Sequence, residues 1–444
     1  MDISIFEEYE SEVRGYIRSF PTVFTKAIGS RIYSEDKAYI DFFSGAGGLN
    51  YGSNNPVVKQ AMLEHINKDG LIHGLDMATD TKAAFIKAFQ DKILKPRNLK
   101  YKMQFTGPTG ANAVEAALKL ARAVKKRHNI VAFTNAFHGV SLGPLAATAN
   151  SWFRNAAGVE LNNVTFVPYE GYINNLDSIE YLQKLLDDPA SGLDKPAAVI
   201  VETVQAEGGI RVASKEWLQR LRKLTQDHDI LLIVDDIQAG CGRAGSFFSF
   251  EESEITPDMV TLSKSISGSG LPMSLLLISP EIDIWKPGQH NGTFRGNNLA
   301  FASAKAVIDH FWSDDSLVKD IAAKSRVISD ELKNLAKKYA KQIKEVRGKG
   351  MIWGAEFYDP DVAKSVAAEA FSQGLIIERS GPHDEVVKLM PALVIDQDTL
   401  KEGLDILHKS IDSVLNQQSR YNKVRIVTTI YRYLVRLALR NLQG

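Results

Sequence analysis

The chain has 444 residues, 44% of them hydrophobic, which is enough apolar content for a large core and two or three domains. Lysine plus arginine and aspartate plus glutamate each number 53, so net charge gives no reason to expect nucleic acid as a partner. The single cysteine, Cys241, excludes an intrachain disulfide, the acidic start MDISIFEEYESEVR lacks the order of a secretion signal, and no uncharged apolar window approaches the ~18 residues of a membrane span; the sequence reads as cytoplasmic.

In chain order, RIYSEDKAYIDFF (31–43) predicts a hairpin with its turn at Ser34 to Lys37. QFTGPTGANAVEAALKLARAVKK places Thr109, Gly110 and Ala111 at the start of a strong helix over Val114 to Lys126, where free amide groups and the helix dipole favour an anion. No Gly-Lys-Ser/Thr follows, so this is not a nucleotide P-loop. NIVAF (129–133), AAVIVE (197–202), ILLIVDD (230–236), MVTLSK (259–264) and MSLLLIS (273–279) are continuous apolar runs, the pattern of strands buried on both faces. They alternate with amphipathic stretches such as Lys215 to Asp227, which predicts an α/β fold with a mostly parallel sheet. The last two runs are close in sequence and predict an antiparallel hairpin.

The pattern then changes. A long helical stretch from Leu317 to Ile343, AKSVAAEAFSQG, the strand-like VVKLM and a closing helix from Thr399 to Asn416 predict a smaller α+β domain completed by the N-terminal segment. The expected organisation is an N-terminal segment 1–55, a large domain 56–308, a C-terminal small domain 309–416 and a tail 417–444. In the tail Arg432, Arg436 and Arg440 recur every four residues among apolar positions, as in a basic amphipathic helix.

Ligands of open α/β sheets bind beyond the carboxyl ends of the strands. Here those ends carry Phe137 and His138, then Glu202, Gln205 and Glu207, then Asp235, Asp236 and Gln238, then Lys264. A lysine partly desolvated at a strand end offers a neutral amine that can attack a carbonyl, and a buried carboxylate needs a cationic partner. A pyridine ring over the sheet satisfies both, with its nitrogen held by Asp235 and its aldehyde bonded to Lys264, and the pair points to pyridoxal phosphate. Asp236 reads as structural, because successive residues of a strand face opposite sides. His138 and Cys241 read as packing residues, and no His, Cys and carboxylate spacing suits a metal.

These residues resemble the class III (fold type I) pyridoxal-phosphate aminotransferases. VDDIQAGCGRAG is similar to that family's apolar strand followed by Asp-Glu-Val-Gln-x-Gly-x-Gly-Arg-x-Gly, and the likeness covers about residues 15 to 415. It implies a mostly parallel seven-stranded sheet in a large domain beside a smaller α+β domain. It also implies that Asp235 holds the pyridine nitrogen, Gln238 lies near the ring hydroxyl, Lys264 bonds the cofactor and Phe137 stacks on the ring. Thr109, Gly110 and Ala111 would hold the phosphate, joined by Thr293 of GTFRGN from a neighbouring subunit, which implies a homodimer with shared sites. ETVQAEGG resembles Glu-Pro-Val-Gln-Gly-Glu-Gly-Gly, with Glu202 beside the cofactor and Glu207 at the substrate mouth. Three positions depart from the family: Asp236 stands for its glutamate, Ala244 for a common threonine, and Lys388 of VVKLMPAL for an arginine that binds the α-carboxylate. Lysine cannot make the planar bidentate contact.

Within the class, SGAGGLNYGSNNP, HGLDM and VVKLMPAL look most like the diaminobutyrate–2-oxoglutarate transaminases that feed ectoine or siderophore synthesis. That likeness implies L-glutamate as donor, L-aspartate 4-semialdehyde as acceptor, and L-2,4-diaminobutyrate and 2-oxoglutarate as products. Transamination of ornithine or 4-aminobutyrate, and a racemase or aminomutase activity, share these motifs.

Overall fold

The computed structural model describes residues 3–416; the basic helix expected within 417–444 lies outside them. Seven strands form the central sheet: β1 (Lys102–Phe105), β2 (Ile130–Phe133), β3 (Val164–Val167), β4 (Ala198–Val201), β5 (Leu231–Asp235), β6 (Met259–Leu262) and β7 (Leu275–Ile278). Their spatial order is β1-β7-β6-β5-β4-β2-β3. β7 runs against both of its neighbours, and the other pairs are parallel. The β6–β7 hairpin is the one its two adjacent apolar runs predict.

Every residue of β2, β4, β5, β6 and β7 is buried, which is why these segments are apolar without alternation. Their side chains divide between two layers. Ile130, Ala132, Ile200 and Ile233 pack with Val114, Leu118 and Ala121 of the helix Gly110–Lys125. Val131, Phe133, Val199, Leu232 and Val234 pack with Trp217, Leu218 and Leu221 of the helix Lys215–Asp227 on the opposite face. The side-chain oxygens of Thr109 and Ser214 cap these two helices by accepting from Asn112 N and Trp217 N. β1 and β3 are only partly buried, and their sequences KMQF and VTFV carry too weak an apolar signal to announce them.

The remainder contains an antiparallel sheet in the order Ile343–Lys349, Ile352–Phe357, Val386–Leu389, Glu378–Ser380. The helices Ser316–Lys338 and Pro360–Gln373 and a helix over 397–416 accompany it. The helix expected to reach Ile343 stops at Lys338. Ile343 is instead the first, buried residue of an edge strand opposite Phe357, so tertiary pairing overrides local helical preference. The N-terminal hairpin forms as expected, with Ser34 N donating to Lys37 O (2.9 Å), and Ala38–Asp41 pairs in parallel with Leu375–Ile376 from far along the chain.

Arg243, wholly buried, joins these parts. Its guanidinium donates to Asn50 Oδ1 (2.7 and 3.2 Å), Met351 O (2.8 Å) and Pro391 O (2.5 Å). Arg243→Ala orphans these buried acceptors and should cost about 3 kcal/mol or more in denaturant unfolding; a loss within ~0.5 kcal/mol would show that the junction does not depend on it. Asp236, directly after β5, is buried and accepts from Ser249 N (3.1 Å). Burial, helped by the charges of Asp235 and Glu251, pushes its carboxyl up to about 7. A carboxyl raised on folding contributes stability at low pH that is lost as pH rises toward the folded value. Asp236→Asn, which mimics the protonated acid, should therefore gain stability relative to the parent by up to about 4 kcal/mol between pH ~4 and pH ~8. Melting curves across that range test this, and an unchanged difference would contradict it.

Candidate active site

Parallel pairing brings the ends of β4, β5 and β6 to one edge, with Asp235 directly opposite Thr261. Asp235 is buried and accepts from Thr261 Oγ1 (3.0 Å) and Ile237 N (3.2 Å) on Oδ1, and from His138 Nδ1 (2.7 Å) on Oδ2. His138 lies in the loop after β2, where its amide donates to Thr148 Oγ1 (2.9 Å); its Nε2 is buried with no partner among the described residues. Glu202, directly after β4, accepts from Phe137 N (3.0 Å). Burial, and then the charge of Asp235, holds the Glu202 carboxyl well above the ordinary carboxylate range.

Lys264 follows β6 with φ +49°, a left-handed conformation that costs a non-glycine residue about 1–2 kcal/mol. Its Nζ donates to Ala46 O (2.9 Å), which also accepts from Gln238 Nε2 (2.8 Å). Ala46 belongs to the turn Ser44–Gly47, whose residues all have positive φ, and Asp41 Oδ1 fixes the entry to this turn by accepting from Phe43 N (2.9 Å) and Ser44 N (2.7 Å). Burial, with a smaller contribution from the charge of Lys388, pulls the Lys264 ammonium below its ordinary pKa against the opposing pull of Glu207. A larger share of free amine follows.

The start of the helix Gly110–Lys125 forms the next wall. Thr109 Oγ1 accepts from Asn112 N (3.2 Å) and Asn112 Oδ1 from Gly107 N (2.8 Å), which fixes the turn before the helix. A Cβ on Gly139, which has φ +118°, would lie 2.9 Å from Ala111 Cβ, so the loop carrying Phe137 and His138 approaches the helix start through glycine.

These groups enclose a cavity with about 680 Å³ of space free of protein atoms. Gly110, Ala111, Phe137, Glu202, Glu207, Asp235, Gln238 and Lys264 line it, so eight of the predicted residues meet in one place. Thr109 stands behind the wall as the helix cap. Thr293 is exposed and does not line this cavity. Lys388 is fully buried behind Glu207, with Nζ 2.8 Å from Glu207 Oε1 and 2.9 Å from Glu378 Oε2. Tyr16 donates its hydroxyl to Glu378 Oε1 (2.8 Å). Burial raises the Glu378 carboxyl; it also works against Glu207, but the ammonium groups of Lys388 and Lys264 win there and hold Glu207 below its ordinary range. The two carboxylates outweigh burial at Lys388 and raise its pKa.

His138, which the sequence suggested as a packing residue, is instead a hydrogen-bond partner of Asp235, and Glu378 and Tyr16 are the groups that reading the sequence passed over. The signal for His138 was its position directly after Phe137, and for Glu378 an acid following the buried Ile376 and Ile377, which demands a cation. Tyr16 lies in a segment with no periodicity and gave none. Asp236 does not line the cavity, in keeping with a structural part. Among the described residues no group of three or more His, Cys, Asp or Glu is placed to hold a metal ion, and no helix is long and apolar enough to cross a membrane.

The sequence profile of the class-III aminotransferases matches residues 15–411. A diaminobutyrate–2-oxoglutarate transaminase of Bordetella parapertussis is 57% identical over 421 residues, 94% of this chain and 97% of that relative. The protein of the same name from Streptomyces avermitilis is 55% identical over 413 residues, 92% and 98% of the two chains. Among solved structures, the ornithine aminotransferase of Toxoplasma gondii ME49 superposes with a TM-score of 0.81 at 25% identity, covering 94% of this chain and 95% of its own. With an amine, an acid and a helix start converging on one cavity, and with that profile running over nearly its whole length, the chain belongs to the class-III aminotransferases, which are pyridoxal 5′-phosphate enzymes.

Proposed function

We propose that the protein transfers the amino group of L-glutamate to L-aspartate 4-semialdehyde, reversibly, giving L-2,4-diaminobutyrate and 2-oxoglutarate. The observation that carries the reading is the meeting of Lys264 and Asp235 in one cavity, in a chain more than half identical to transaminases of that name. The cavity fits pyridoxal phosphate in its donor set. A buried carboxylate suits the ring nitrogen, an amine freed by burial suits the aldehyde, and a helix start suits the phosphate. Asp235 would hold the nitrogen, Gln238 the ring hydroxyl, Phe137 the ring face, and Thr109, Gly110 and Ala111 the phosphate.

When bound, the cofactor supplies an aldehyde that accepts the amino group and a ring that takes up the electron pair left on the substrate carbon. The rest falls to the chain. Lys264 Nζ takes the proton from the substrate carbon in one direction and returns it in the other, which requires the free amine that burial provides. Thr261, Ile237 N and His138 fix both oxygens of Asp235, so the carboxylate stays oriented through the cycle. Burial and the charge of Asp235 favour the neutral form of Glu202, which limits the negative charge gathered beside Asp235. Lys388, held by two carboxylates, positions Glu207 at the mouth and is not free to grip a substrate carboxylate.

We further assign a homodimer in the cytoplasm. Leu71, Ile72, Met77 and Phe294 are exposed large apolar residues, and their two segments meet at the His73–Asn297 bridge and the 5.4 Å His73–Phe294 ring contact. Such a patch calls for a partner surface, and a second copy laid there would bring Thr293 toward a neighbouring site.

Glutamate alone should convert the bound cofactor and release one 2-oxoglutarate per site, and aspartate semialdehyde should then restore it with formation of diaminobutyrate. Turnover of ornithine or 4-aminobutyrate with diaminobutyrate inert would contradict the substrate assignment. Lys264→Ala should lose on the order of 10⁴-fold in kcat and His138→Ala about tenfold, one hydrogen bond's worth at the barrier. The chain should sediment at about twice its mass of 49.1 kDa, and Phe294→Glu should shift it toward monomer.

A further inference from the structure

We infer that Arg379 binds the carboxylate at the far end of the amine substrate, with Asp384 taking the neighbouring ammonium; this rests on the diaminobutyrate reading above. L-2,4-Diaminobutyrate reacts through its terminal amine, which must lie at Lys264. Its other end carries an ammonium and a carboxylate and therefore points out of the catalytic cavity. A site that selects this molecule has to offer that end one cation and one anion.

A second cavity, with about 1680 Å³ free of protein atoms, adjoins the first, because Phe137 and Glu207 line both. Arg379, His383 and Asp384 lie in its wall. Lys264 and Arg379 are the lysine and arginine residues that face either cavity among the described residues, and Lys264 is committed to the reacting end. Lys388, at the position where related chains carry a carboxylate-binding arginine, lines neither cavity, is wholly buried, and is already matched by Glu207 and Glu378. The cation for the distal carboxylate is thus displaced from Lys388 to Arg379.

The local structure suits the task. Arg379 sits in the strand Glu378–Ser380, opposite Val387, so the small sheet fixes its backbone. The turn that follows is docked on the segment after β4 that carries Glu207, by Gly381 N donating to Glu207 O (3.0 Å). Asp384 Oδ2 lies 3.2 Å from Arg379 Nη2, and Nη1 reaches Asp384 O at 3.4 Å. These are long contacts for a guanidinium, which still has donors to spare for a planar bidentate grip on a carboxylate. The Arg379 side chain is 24% exposed and that of Asp384 57%, so both are open to a ligand. An arginine beside an aspartate matches a carboxylate beside an ammonium, charge for charge.

The test uses the loaded enzyme in the amine half-reaction with two substrates, L-2,4-diaminobutyrate and 1,3-diaminopropane, which is the same molecule without the carboxylate. Arg379→Ala and Arg379→Gln should raise the KM for diaminobutyrate by about 30-fold or more, leave its kcat within about twofold, and change kcat/KM for 1,3-diaminopropane by less than about twofold. Arg379→Lys should recover part of the loss. Equal loss on both amines, or a loss confined to kcat, would mark Arg379 as merely structural and overturn the assignment while leaving the diaminobutyrate reading intact. Unchanged kinetics in Arg379→Ala would overturn it in the same way. A parent enzyme inactive on diaminobutyrate would overturn both.

Discussion

The site depends on a carboxylate held at the buried end of a parallel strand. Asp235 can be there because Thr261 on the neighbouring strand, the backbone after β5 and His138 from the loop after β2 all donate to it, which offsets the cost of taking a charged oxygen pair out of water. Parallel pairing sets the rest. Once β4, β5 and β6 run the same way in register, Glu202, Asp235 and Lys264 must emerge at one edge, where the helix Gly110–Lys125 also begins. A shift of one residue in any of these strands would turn its side chain into a packing layer and dismantle the site.

Charge is distributed by the same logic. Burial pushes Glu202 toward its neutral form, the charges of Lys388 and Lys264 pull Glu207 toward its ionised form, and Lys388 is matched by two carboxylates. The interior thus keeps one amine, Lys264, with its proton loosely held, and leaves the sorting of substrates to groups nearer the mouth. The N-terminal segment belongs to this arrangement. Tyr16 reaches Glu378 with its hydroxyl and Phe43 with its ring (4.9 Å), and Phe43 leads into the turn whose Ala46 carbonyl receives Lys264.

What could be read from the sequence followed locality. The five apolar runs announced buried strands because burial on both faces leaves no room for polar alternation, and Asp235 and Lys264 were visible as charges placed directly after such runs. β1 and β3 escaped because half-buried four-residue strands carry little pattern, and the overlong helix up to Ile343 reflects a sequence whose local preference yields to pairing with Phe357. The hydrogen bonds that organise the site were hidden for another reason. His138 and Asp235 are 97 residues apart, Glu207 and Lys388 181, and Tyr16 and Glu378 362, and no local pattern encodes such distances. Lys388 shows the limit of motif reading: the motif marked a substrate cation, whereas its neighbours make it an internal counter-charge.

The most direct measurement of the central claim is chemical. The protein is loaded with pyridoxal phosphate, treated with borohydride, digested, and the peptide bearing the reduced cofactor is sequenced. The label should fall on Lys264 alone, at one per chain, and its yield should drop when Asp235 is replaced by alanine. A label on any other lysine, or full labelling of Lys264 at unchanged cofactor affinity without Asp235, would show that these two side chains do not serve one ring.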